Sequence, residues 1–293
     1  MTYRSVFRPG LFEGQSIVVT GGGSGIGRCT AHELAALGAT VILIGRKRDK
    51  LERVAAEITE DGGKADIEPL DIRDEERVKA VVKTLLERHE AIDGLVNNAG
   101  GQYPAPLAMI NQKGFETVVR TNLVGGFLVA REVFMQCMNR RGGSIVNIVA
   151  DMWKGMPGMG HSGAARAGMV NFTKTAAVEW APAGVRVNAI APGWVASSGM
   201  DTYDGAAKAM IPKLAESVPL KRLSTEAEIS SGICFLLSEA AAFITGITMP
   251  IDGGAPLFSN VWPTPKHKAS KPYDGFHRAV TPEVLKELNK ESE

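Results

Sequence analysis

Cysteine is scarce. The chain of 293 residues holds three, Cys29, Cys137 and Cys234, far apart and without metal-ligand spacing. No metal is expected, and a reduced, cytoplasmic compartment fits. An excess of charge of one sign is also missing: 33 Lys and Arg face 32 Asp and Glu. No basic surface therefore calls for nucleic acid. No apolar run reaches the length of a membrane span. Residues 1–10 lack the apolar core of a secretion signal, and Glu291-Ser292-Glu293 carries no peroxisomal address. A cytoplasmic protein without membrane attachment is expected. The Gly-Lys-Ser/Thr of nucleotide hydrolases is absent too.

What is present alternates. Apolar, β-rich runs lie at 17–20, 40–44, 65–70, 94–96, 144–149, 185–190 and 247–251. Helical patterns lie between them at 26–37, 48–60, 74–89, 111–139, 163–180 and 225–238. Such alternation predicts an α/β fold with parallel strands and crossover helices on both faces. One domain over 1–257 is expected. Residues 193–219 form a long excursion carrying Trp194, Met200, Tyr203 and Met210, of the kind that covers a site. An extension over 258–293 is rich in Pro, Lys and His and ends in a short helical signal, with Thr281 as cap, then Pro282 and Glu283. It reads as a surface or subunit-packing element.

The most informative stretch is Thr20-Gly21-Gly22-Gly23-Ser24-Gly25-Ile26-Gly27. It joins an apolar run to a helical pattern. Strand, glycine-rich turn and helix in that order build a phosphate cradle, in which backbone N–H groups and the helix N-terminus face a pyrophosphate.

In order and spacing, further motifs follow: Asp71 after the third strand, Asn97-Asn98-Ala99-Gly100 after the fourth, Asn122 in mid-helix, Pro192-Gly193 after the sixth, and Asp252-Gly253-Gly254 after the seventh. From about residue 11 to 257 the chain resembles the classical short-chain dehydrogenases/reductases. The resemblance implies a single Rossmann-type, doubly wound sheet of about seven strands, assembled as a homotetramer. It implies cofactor contacts from Gly21, Ser24, Gly25, Ile26 and Gly27 of the turn and from Asp71 and Ile72. Asn98, Ala99 and Gly100 after the fourth strand, and Pro192, Gly193 and Val195 after the sixth, complete the set.

The family's catalytic Ser and Y-x-x-x-K are missing. Alignment on Ala167-Gly168 puts Ser162 at the tyrosine position and Arg166 at the lysine position, with Val149 or Ala150 at the serine position. Asn122 keeps the family's active-site asparagine. The segments HSGAARAG, NNAGGQYPAP and SIVNI are similar to the peroxisomal trans-2-enoyl-CoA reductase branch, and the related 2,4-dienoyl-CoA reductases also replace the tyrosine. Ala99 and the missing targeting signal depart from that branch and suggest a bacterial-style relative.

The chemistry of the residues agrees with that branch. Gly45-Arg46-Lys47-Arg48 stands where an acidic residue would bind the ribose hydroxyl of NAD, so Arg46 and Lys47 are expected to hold the 2′-phosphate of NADP(H). Ser162 and Arg166 are four apart on a helix and share a face. Arg166 keeps a positive charge and a ribose contact but cannot relay a proton. Ser162 can give one hydrogen bond to a carbonyl, which suits stabilising an enolate. Asp151 is a second candidate for the proton, and His161 reads as a histidine satisfied by backbone contacts. The expected catalytic set is Asn122, Ser162, Arg166 and Asp151. Trp153, Trp194, Met200 and the methionines of 155–160 can line an acyl pocket. The expected reaction is NADPH-dependent reduction of a trans-2-enoyl acyl thioester carried on coenzyme A or acyl carrier protein. A 3-oxoacyl thioester or ketone reductase and a non-catalytic NADP(H)-binding protein are the alternatives.

Overall fold

Runs such as Thr-Val-Ile-Leu-Ile have no polar face, so they are satisfied only where both sides are covered. The computed structural model, which describes residues 2–203, 205–257 and 264–291, covers them in that way. Strands β1 (Ser16–Thr20), β2 (Thr40–Gly45), β3 (Lys64–Pro69), β4 (Gly94–Asn97), β5 (Gly143–Ile148), β6 (Val185–Pro192) and β7 (Thr248–Ile251) form one sheet. Its order is β3-β2-β1-β4-β5-β6-β7, and every pairing is parallel.

Helices α1 (Gly25–Ala36), α2 (Arg48–Glu60), α3 (Glu75–His89), α4 (Gln112–Val119), α5 (Gly125–Val133), α6 (Asn139–Arg141), α7 (Gly160–Glu179), α8 (Gly205–Leu214), α9 (Glu226–Leu237) and α10 (Glu283–Glu291) complete the chain. Neighbouring residues of a strand serve opposite cores. Ile17, Val19, Val41 and Leu43 pack with Leu34 of α1, Val54 of α2 and Ile233 of α9. Val18, Ile42 and Ile44 pack on the other face with Val82 of α3 and Val129 of α5. Each such side chain contributes about 1.5–3 kcal/mol on burial. The doubly wound, seven-stranded sheet is thus the expected one.

Two expectations change in detail. The helix expected over 111–139 starts after Asn111, whose side chain accepts from the Gly114 N–H at 2.8 Å. It is then interrupted by π-helical turns at Arg120–Val124 and Phe134–Met138. Within the excursion lies α8, flanked by 3-10 turns at Ser198–Thr202 and Ala215–Ser217. Its Pro212 and small residues hide the helical pattern in sequence. Met1, of the segment read for a secretion signal, and 258–263 and 292–293 of the extension lie outside the described residues. Among the described residues no helix is long and apolar enough to cross a membrane, and no cluster of acidic, Cys and His side chains suits a metal.

The described part of the extension folds back on its own chain. Phe276 is 2 % exposed. Its ring stacks on Tyr3 at 5.8 Å and lies 5.1 Å from His32 of α1, with the Arg28 guanidinium 4.9 Å above it. Arg278 reaches Asp61 at 2.8 Å and Glu60 at 2.6 Å. Underneath, the buried Glu33 carboxylate accepts from Ser230 Oγ (2.5 Å), Ser5 Oγ (2.7 Å) and Tyr3 Oη (3.0 Å), tying the N-terminal segment to α1 and α9. At the far end, α10 docks on the excursion: the Val284 N–H donates to Asp201 at 3.2 Å, and Val284 packs with Met200 and Ile211. Removing a buried aromatic ring costs about 3–5 kcal/mol. We expect Phe276→Ala to lose stability of about that size in chemical denaturation; a loss within the noise of a surface substitution would show that the tail is not anchored on this chain.

Candidate active site

The crossover direction reverses between β1 and β4, and a crevice opens at their carboxyl ends. Thr20 Oγ1 accepts from the N–H groups of Asn98 and Ala99, each at 3.0 Å, and donates to Val96 O at 3.3 Å. The Asn98 carboxamide returns a bond to Thr20 O at 3.0 Å. The glycine turn is thereby fixed against the loop after β4. Gly27 has no room for a side chain, because a Cβ would strike Gly21 O and come within 2.5 Å of Asn98 Nδ2. Ser24, at the N-cap of α1, makes no side-chain cap, so the first N–H groups of the helix are not shielded by it.

All the expected cofactor positions except Gly25 and Gly27 line two adjoining hollows. The first, about 210 Å³, is bordered by Gly21, Ser24, Arg46, Lys47, Asp71, Ile72, Ala99 and Gly100. Lys50 and Arg73, not among the positions expected from sequence, also border it. Arg73 grips Asp71 through its side chain at 2.5 Å and its N–H at 3.1 Å, and this holds the Asp71 carboxyl down to about 2. An Asp-x-Arg spacing beyond a strand is the signal that could have found it. The second hollow, about 520 Å³, is bordered by Ile26, Asn98, Gly100, Arg166, Pro192, Gly193 and Val195, and by Asp151. Met156, Met159, Trp194, Met200 and Leu214 give it an apolar side. Trp153, expected in that lining, is half exposed and is not part of it.

Buried polar bonds place the catalytic candidates. Asn97 Nδ2 donates to Asn147 Oδ1 at 3.0 Å, and Asn147 Nδ2 donates to Thr173 Oγ1 at 2.9 Å, which clamps α7 to β4 and β5. Asn122 sits in the first π turn. Its Nδ2 donates to Gly101 O at 2.6 Å and Val118 O at 2.9 Å, while its Oδ1 accepts from the Gly101 N–H at 3.1 Å. It shapes the loop rather than facing open space.

Arg166 Nη1 donates to Ile148 O at 2.5 Å. A Cβ at Gly100 would lie 2.6 Å from both Arg166 Nη2 and Asn122 Oδ1, so the glycine makes room for the guanidinium. Burial lowers the Arg166 pKa to about 10, which leaves it charged at neutral pH. Its Nε is buried with no partner among the described residues. A bound group with hydroxyl or phosphate oxygens fits this open donor and charge, as the ribose of a dinucleotide would.

Ser162 takes a different place from the one expected. It is wholly buried, does not border the cleft, and donates through Oγ to Gln102 Oε1 at 2.5 Å. The cause lies in the loops: the Ala105 N–H donates to Gly158 O at 2.7 Å, which draws the segment after β4 over the first turn of α7. Gln102, whose role nothing in the sequence marks, thus stands between Ser162 and the cleft. Its Nε2 donates to Tyr203 Oη at 3.3 Å. His161 is buried against Tyr103, its Nδ1 accepting from the Ser162 N–H at 2.8 Å. Its Nε2 has no partner among the described residues, so the backbone satisfies half of the ring. Asp151 borders the cleft, and burial, helped by the charge of Asp252, raises its carboxyl pKa. The carboxyl is thus placed where it can exchange protons with a group in the cleft.

A family model described as enoyl-(acyl carrier protein) reductase matches residues 21–256. A peroxisomal 2,4-dienoyl-CoA reductase of Danio rerio is 33% identical over 261 residues, with 88% of this chain and 86% of that protein covered. A 3-oxoacyl-[acyl-carrier-protein] reductase of Synechocystis is 36% identical over 248 residues, covering 83% and 98%. Among solved structures, a citronellol catabolism dehydrogenase of Pseudomonas aeruginosa PAO1 is 64% identical, with a TM-score of 0.79 over 86% of this chain and 99% of that one. With its sheet order, its glycine turn and these relatives, the chain belongs to the short-chain dehydrogenase/reductase family of oxidoreductases, near the 2,4-dienoyl-CoA reductases.

Proposed function

We propose that the protein uses NADP(H) to reduce an α,β-unsaturated acyl thioester. The observation that carries this reading is the site at Ser162. The position of the family's tyrosine holds a buried hydroxyl already committed to Gln102, and the lysine position holds a fixed cation. Neither group supplies the proton relay of the family's Y-x-x-x-K, since a guanidinium does not deprotonate in proteins. Reduction of a conjugated double bond needs only a hydrogen-bond donor at the thioester oxygen and a later proton at carbon 2.

When bound, the dihydronicotinamide supplies the hydride. Arg166 would hold its ribose and keeps positive charge beside the cleft. Asn122 fixes Gly101 and the loop that carries Gln102. Asp151 borders the cleft, where it can relay a proton from solvent toward carbon 2, and the methionines and Trp194 exclude water around the acyl chain. Arg46, Lys47, Lys50 and Arg73 surround the first hollow, where Asp71 is already paired with Arg73. That cationic surplus supports a 2′-phosphate over a hydroxyl.

The Pseudomonas aeruginosa relative favours a second reading, in which the substrate is a branched acyclic alcohol such as citronellol. One panel separates the two: enoyl thioesters, straight and branched, their 3-oxoacyl counterparts, citronellol and citronellal, each with both cofactors. Turnover of the enoyl thioesters above the others is expected; brisk oxidation of the alcohol with inert enoyl thioesters would sink the first reading.

For the cofactor, Arg46→Ala is expected to weaken NADPH by about 1.5–3 kcal/mol, roughly ten- to hundredfold, and to leave NADH nearly untouched. Equal losses in fluorescence titrations with the two cofactors would make Arg46 structural. Val124 and Phe127 beside and on α5, Met135 after it and Val178 on α7 expose apolar side chains. These are the faces on which we place a homotetramer. Sedimentation at micromolar concentration should give four chains; a monomer would refute it.

A further inference from the structure

The excursion brings a second phenol to the site that lost its first. We propose that Tyr203 donates its hydroxyl hydrogen to the oxygen of the bound acceptor, the role left open at Ser162, and that Gln102 is the positioning residue that holds it there. The inference rests on the proposed reading only in that the acceptor carries a carbonyl oxygen.

Three observations carry it. The first is direction. The contact between Ser162 and Gln102 is 2.5 Å, which suits O–H···O and is too short for N–H···O. The Gln102 oxygen therefore faces Ser162, and its amide nitrogen faces Tyr203 at 3.3 Å. Tyr203 Oη accepts in that bond, so its own hydrogen remains to be given, and no acceptor among the described residues takes it. The second is place. Tyr203 and Gln102 border the same hollow as Arg166, Asp151 and Gly193. The third is support. The Tyr203 side chain packs on a separate cluster of Met200, Ile211 and Val284, so α10 backs the segment that presents the phenol. A phenol donates more strongly than an aliphatic hydroxyl to an oxygen that gains negative charge, as the thioester oxygen does when carbon 3 is reduced.

The test uses the full chain, with Tyr203→Phe, Gln102→Leu and the double variant, on whichever member of the panel the wild type turns over fastest. Tyr203→Phe should lower kcat on the order of 10²-fold, with unchanged NADPH affinity in fluorescence titration. Gln102→Leu should lower kcat as well, and the double variant should be no slower than Tyr203→Phe, because Gln102 acts through the phenol. An unchanged kcat for Tyr203→Phe, or fully additive losses in the double variant, would overturn the proposal. Failure of the enoyl reading shows separately: if the wild type prefers an alcohol or a 3-oxoacyl thioester, the same ratio on that substrate decides Tyr203. A wild type that binds NADPH and turns over no member of the panel would overturn both.

Discussion

The bond between Thr20 and the loop after β4 is the constraint on which the site depends. β1 and β4 are neighbours whose crossovers leave in opposite directions, so their carboxyl ends part. One hydroxyl, receiving two N–H groups and giving one bond back, fixes that parting at its floor. Each such bond contributes about 1 kcal/mol net, but leaving these buried donors unmade would cost about 1–3 kcal/mol apiece. The glycine turn, the N-terminus of α1 and the segment Asn98–Gln102 take their relative positions from it.

A second layer of polar bonds transfers that position to the chemistry. Asn97, Asn147 and Thr173 clamp α7 onto the sheet, and Asn122 opens α4 into a π turn to reach Gly101. Such turns recur where a helix gives up regular bonding for a side chain's task. Gly100 then leaves the space that the Arg166 guanidinium fills. A buried cation without a carboxylate partner is costly, and such arrangements persist where a ligand completes them.

At Ser162, expected from sequence at the tyrosine position, a buried hydroxyl anchors Gln102, and Gln102 reaches the excursion. The excursion in turn leans on α10, so residues near the end of the chain support a wall of the cleft. The same tail, through Phe276 and Arg278, packs on α1 and α2 behind the glycine turn.

The sequence by itself determined the sheet. Apolar runs buried on both faces, spaced by helical patterns, admit little besides parallel strands with crossovers, and the glycine turn marks the first of them. Nearly all the cofactor positions that the sequence singled out border the two hollows, because those positions lie at strand ends, where backbone geometry places them. What only the tertiary structure decided was which side chains face the cleft. Helical spacing put Ser162 and Arg166 on one side of α7, but the loop tied through Ala105 and Gly158 covers the serine and leaves the arginine at the wall. Gln102, Arg73 and Tyr203 lie in loops, where no periodicity records direction. Their roles follow from contacts between segments far apart in the chain, and those exist only once the chain has closed.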